Sequence, residues 1–154
     1  MKHKQTNISA TDFEQLAGEL LGNGNALRFR ACGNSMHPFI KDGDILTITP
    51  TDSVNLKNGD IAFYRKADGK PAAHRIIGKK KITQKRLFLI RGDGYVSGPE
   101  EVPAEDIMGI VTKVERDNIE IRLNIAHKKL AAAIWSKIQS IRWLLCRIKR
   151  RLNK

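Results

Sequence analysis

The sequence predicts a mainly β chain: a compact β sandwich or barrel, one short helix before it, and a basic amphipathic helix after it. Three observations lead there. Short β-type runs at residues 27–31, 45–49, 60–64, 72–77, 87–91, 107–115 and 119–123 follow one another at close spacing. Between them lie Lys-Asp-Gly-Asp, Lys-Asn-Gly-Asp, Ala-Asp-Gly-Lys, Arg-Gly-Asp-Gly and Asp-Asn, residues suited to tight turns and positive φ. Apolar residues recur at helical spacing near the two ends of the chain.

The first element is a single amphipathic helix. Phe13, Leu16, Ala17, Leu20 and Leu21 share one face, Thr11 and Glu14 have capping-box spacing, and Gly22-Asn23-Gly24 stops the pattern. This divides the chain into an N-terminal segment (1–24), a β domain (25–123) and a tail (124–154). The recurring Gly-Asp at 43–44, 59–60 and 92–93 reads as a turn before a strand, not as an internal duplication.

The 154 residues carry a formal charge of +12. Nine cations and no acid lie in 124–154, which leaves nineteen cations against sixteen acids, +3, for residues 1–123. The body is thus near neutral and the tail is basic. Leu130, Ile134, Ile138, Ile141, Leu145, Ile148 and Leu152 form one apolar stripe, with Trp135 and Trp143 beside it. Such a helix suits the headgroup region of an anionic membrane through residues 128–154. Packing on the β body or on a partner helix is the alternative, and nucleic acid is the least favoured partner. No apolar run approaches the ~18 residues needed to span a bilayer, and none follows the N-terminal Met-Lys-His-Lys as an export signal would. The expected location is peripheral, on the cytoplasmic side of a membrane. Cys32 and Cys146 form no disulfide framework, and two Cys with four scattered His give no zinc spacing; neither a metal nor a cofactor is expected.

The segment with chemistry in it is Gly33-Asn34-Ser35-Met36-His37-Pro38, followed by Asp42-Gly43-Asp44. A glycine two residues before a serine allows close backbone approach, and Pro38 stiffens the chain after it. These boxes resemble the G-x-S-M-x-P…G-D motif of the signal peptidase I family, which recurs in diverged form in LexA-like peptidases. Further boxes follow in order: Gly59-Asp60-Ile61-Ala62, Ala73-His74-Arg75-Ile76, Gly92-Asp93-Gly94, and Glu105-Asp106-Ile107-Met108-Gly109.

The resemblance implies a LexA/signal-peptidase-like β domain and a serine endopeptidase that cleaves a signal or leader peptide from a precursor. Ser35 would be the nucleophile. His74, where the common bacterial enzymes have Lys, would be the general base, as in the archaeal and endoplasmic-reticulum branch. Asp93 would orient the imidazole. Relatives of the His type carry a further Asp where this chain has Pro99, followed by Glu100 and Glu101, so Glu100 is the alternative acid and a dyad the third option. Gly33, Asn34 and Met36 are the candidates for the oxyanion and substrate site, with an extended peptide added to a sheet edge. Many relatives have Ser at the position of Gly33, so the oxyanion would rest on backbone N–H groups. The competing reading is a non-catalytic module on the same fold, docked to membrane or partner through its tail. A self-cleaving DNA-bound regulator is set aside, because one helix before the β domain is too little for a helix-turn-helix.

Overall fold

The computed structural model describes residues 9–94 and 98–121, together with Ile138. The tail helix expected over 124–154 therefore lies outside the described residues, except for Ile138, which is helical.

Helix α1 spans Ala10–Gly22. Its cap is two residues earlier than the Thr11–Glu14 spacing suggests. Ser9 Oγ accepts the N–H of Asp12 at 3.1 Å, satisfying a donor that the first turn would leave unpaired. Glu14 is drawn elsewhere, accepting from Arg65 Nε at 2.5 Å. Ala17 and Leu21 are buried, whereas Leu16 stands outside the packed face at 44% exposure.

Among the described residues eight strands follow: β1 (Leu27–Arg30), β2 (Ile45–Thr49), β3 (Ile61–Arg65), β4 (Pro71–Ile82), β5 (Lys85–Arg91), β6 (Glu100–Pro103), β7 (Ile107–Arg116) and β8 (Ile119–Ile121). All pairings are antiparallel in one sheet of order β1-β2-β7-β3-β4-β5-β6, with β8 also on β7. The long strands β4 and β7 join its parts. Residues 71–75 of β4 pair with β3 and residues 75–82 with β5. Register breaks at Thr47/Ile48, Phe63/Tyr64 and Ile76/Gly78 mark bulges, which bend and twist the strands.

Both faces of the central strands are covered. On β3, Ile61 and Phe63 join a cluster with Ala17, Leu21, Met36, Ile40, Leu46 and Val114. Ala62 and Tyr64, pointing the other way, join Leu56, Ile76, Phe88, Ile90 and Val102. This explains why residues 61–64 are an uninterrupted apolar run rather than an alternating one.

Seven of the eight strands answer to the apolar runs. The exception is β6, whose Glu-Glu-Val-Pro has little strand character. It exists because β5 offers it a ladder, Ile90 opposite Glu100 and Phe88 opposite Val102, and because Val102 is buried there. β4 also runs on to Ile82, so the Lys79-Lys80-Lys81 stretch is paired strand.

Candidate active site

The β1–β2 connection holds Ser35. Its mouth is closed by the backbone: Ala31 N–H donates to Asp44 O at 2.7 Å and Gly43 N–H to Ala31 O at 2.9 Å. Within it, Met36 O accepts the N–H groups of Phe39 and Ile40, both at 3.0 Å. Met36 and Ile40 are buried in the first cluster and pin the loop to the sheet. Met36 is therefore an anchor of the loop through its side chain. Asn34 is exposed beside Ser35, which is half-buried.

Gly33 has φ +88°, a conformation costly for any residue with a Cβ, and its N–H donates to Asp42 Oδ1 at 2.6 Å. That backbone accounts for glycine here. The far end of the loop is held to β7. Arg116 donates to both oxygens of Asp44, at 2.8 and 2.7 Å, and to Phe39 O at 3.3 Å. This guanidinium holds the Asp44 carboxyl below the usual carboxylate range.

A second tie comes from the end of β5. Gly94 N–H donates to Ser35 O at 2.8 Å. A Cβ at position 94 would lie 2.5 Å from Asn34 O, so only glycine lets the chains come this close. The residue before it, Asp93, is buried and accepts from Arg75: Nε at 2.9 and 3.1 Å, Nη2 at 2.6 Å. Arg75 also donates to Gly59 O at 2.8 Å and lies 5.2 Å from the centre of the Phe39 ring. Burial pushes the Asp93 carboxyl upward, and Arg75 opposes that shift.

His74 precedes Arg75 on β4 and pairs with Ala62 of β3. It is 7% exposed. Its Nδ1 lies 2.9 Å from the hydroxyl of Tyr64, which in turn donates to Glu100 Oε2 at 2.8 Å. Lys66 Nζ lies 3.7 Å from the other Glu100 oxygen. Burial lowers the His74 pKa; Glu100 pulls it back up, and Lys66 adds to the lowering. The imidazole is thus neutral at neutral pH, as a base must be. Burial first, then Glu100, raises the Tyr64 pKa, which keeps the phenol protonated.

Asp93 is engaged by Arg75 and, with Gly94, braces the serine loop. Glu100, the alternative acid, approaches His74 through Tyr64. Ser35 and His74 are both tied to the Arg75–Asp93–Gly94 unit, one through Gly94 and the other as the neighbour of Arg75 on β4. The Ser35 hydroxyl makes no hydrogen bond to another described residue.

Tyr64 is the site residue that sequence reading missed. The signal for it is hairpin register. Lys66 N–H donates to Lys70 O and Gly69 N–H to Lys66 O, a tight turn around Asp68-Gly69. Counting back from that turn sets Tyr64 opposite Ala72 and Ala62 opposite His74, diagonal neighbours on one face.

A comparison with curated proteins gave no match. A family model, described as Peptidase S24-like, matches residues 3–115, a span that contains the serine loop, both strands of the His74 hairpin, β5, β6 and nearly all of β7. This supports the wider group of LexA-like and signal peptidases that the sequence motifs indicate, at a coarser level than the signal peptidase I branch itself. The chain belongs to the Peptidase S24-like family.

Proposed function

We propose that this chain is a serine endopeptidase that cleaves a signal or leader peptide from a precursor, with Ser35 as nucleophile and His74 as general base. The observation behind this reading is the buried, neutral His74 backed by Tyr64 and Glu100, next in sequence to the Arg75–Asp93 pair that braces the Ser35 loop. His74 takes the hydroxyl proton as Ser35 attacks the scissile carbonyl, and returns it to the leaving amine. The N–H groups of Ser35 and Met36 make no hydrogen bond among the described residues and are the donors assigned to the oxyanion, with the Gly33–Asn34 backbone shaping the approach. Catalytic hydrogen bonds are commonly long or unmade in apo sites, and on this reading the one from Ser35 to His74 forms when substrate arrives.

The test is cleavage of a library of extended precursor peptides by the full chain and by Ser35→Ala and His74→Ala. New termini are expected with the unaltered chain, and at least about 10³-fold less with either variant, each still folded by circular dichroism. A folded variant that cleaves at the original rate refutes the assignment.

A second reading, a non-catalytic membrane- or partner-binding module, draws on the Ser35 hydroxyl having no hydrogen bond to His74. It predicts docking through residues 128–154 with no cleavage of any precursor.

A further inference from the structure

The Tyr64 hydroxyl sits between a histidine and a carboxylate, and it has one hydrogen to give. A carboxylate accompanied by Lys66 only accepts, so that hydrogen goes to Glu100, as the 2.8 Å contact indicates. The oxygen of Tyr64 then faces His74 Nδ1, 2.9 Å away, with lone pairs alone. Only a protonated Nδ1 satisfies both atoms. A neutral imidazole carries one proton, so Nε2 must be bare.

We propose that Tyr64 is a positioning residue: its hydroxyl accepts Nδ1–H of His74 and donates to Glu100, fixing the tautomer in which Nε2 can take the Ser35 proton. This rests on the reading of His74 as the base. Glu100 stands one phenol away from the imidazole, because Glu100 is on β6 while His74 is on β4, with Tyr64 reaching from β3.

The arrangement is rigid where it has to be. Tyr64 is fully buried, its ring 5.9 Å from that of His74. Only the outer end, Glu100, is half exposed, with 45% of its side chain open to solvent. The carboxylate therefore stays in contact with water, while the buried phenol passes its influence inward. When His74 gains the Ser35 proton, both ring nitrogens are donors, and Nδ1–H strengthens its bond to an oxygen already polarised by Glu100. The charged groups acting on the ring are Glu100 from β6, which favours the imidazolium, and Lys66 from the turn after β3, which opposes it. Arg75, at the neighbouring position of β4, pairs with Asp93 just past β5, and the buried Arg91 at the end of β5 also acts on Asp93.

The test is ¹⁵N NMR of the histidine rings in the full chain, with His74 assigned from a His74→Gln spectrum, together with kinetics of Tyr64→Phe and Glu100→Gln. The spectrum needs no substrate. At pH above the ring's titration, His74 is expected with Nδ1 protonated and Nε2 bare. Tyr64→Phe should abolish that preference. Both variants should lower kcat about 10- to 100-fold with KM unchanged. In both, the acid limb of the kcat profile should move to lower pH, since each removes support for the imidazolium. The double variant should be no worse than the poorer single one, because the two residues act in series. Glu100→Gln, at a half-exposed position, keeps the test open if Tyr64→Phe folds poorly.

A bare Nδ1 in the unaltered chain overturns the proposal, as does a tautomer indifferent to both variants. So does an unshifted acid limb, which would leave Tyr64 a packing residue. If the Nδ1–H tautomer is seen and lost as described, but Ser35→Ala cleaves normally, the peptidase assignment falls while the Tyr64–His74–Glu100 geometry stands as structural.

Discussion

Arg75 grips Asp93 through Nε and Nη2 at 2.6–3.1 Å, with 6% and 3% of the two side chains exposed. A charge pair this deep is costly to break, because the survivor is left uncompensated. Its neighbours give it a further meaning: Gly94, the next residue after Asp93, holds Ser35 O, and the Arg75 guanidinium lies over Phe39 in the same loop.

Asp93→Ala should therefore cost about 3–5 kcal/mol in urea unfolding, with activity falling alongside. Replacing Arg75 and Asp93 together by Met and Leu should recover much of the stability. A loss below about 1 kcal/mol for Asp93→Ala would show that the pair bears little of the fold.

Gly94→Ala should separate activity from stability. The added methyl meets Asn34 O at 2.5 Å, a backbone atom that cannot swing aside. The serine loop must move, and a displacement near 1 Å in a reacting group costs up to about 100-fold in rate. We expect kcat to fall by roughly that factor while unfolding shifts by about 1–3 kcal/mol. Retention of full activity would show that Gly94 does not position Ser35.

Acid should weaken the fold through His74. Burial depresses its folded pKa below the unfolded value of about 6.5. The unfolded chain then binds more protons than the native one below that pH, so the stability present above pH ~6.5 is lost as pH falls. Melting curves from pH 8 to pH 5 should show this decline, and it should be shallower in His74→Gln. An equal slope in both would place the titrating group elsewhere.

The membrane proposal concerns residues 128–154. Vesicles containing phosphatidylserine should retain the full chain, and neutral phosphatidylcholine vesicles should not. Replacing Lys149, Arg150 and Arg151 with Gln should weaken binding by about 1 kcal/mol per charge. Indifference to these changes, or to salt, would contradict a headgroup-binding tail.

Much of this architecture was legible in the sequence, for identifiable reasons. Residues 45–49 read as a strand because Leu46 and Ile48 alternate into one core, and 61–64 because both faces of β3 are covered. The serine box and the Gly92-Asp93-Gly94 box stood out by resemblance, and each holds a glycine the fold requires, Gly33 for its positive φ and Gly94 for its approach to Asn34 O. What was hidden depends on partners far along the chain. Glu-Glu-Val-Pro becomes β6 only because β5 pairs with it, so Glu100 could be suspected but not placed. Tyr64 looks like any core aromatic until hairpin register sets it diagonal to His74. The Ser9 cap won over Thr11 because Glu14 is taken by Arg65, fifty-one residues away.

The most direct measurement is the structure of the chain with a peptide boronate bound in place of a scissile peptide. Ser35 Oγ should be bonded to boron, with His74 Nε2 within about 3 Å of that oxygen and Nδ1 still on Tyr64. A boronate bonded elsewhere, or a His74 ring out of reach of Ser35 Oγ in the adduct, would contradict the account.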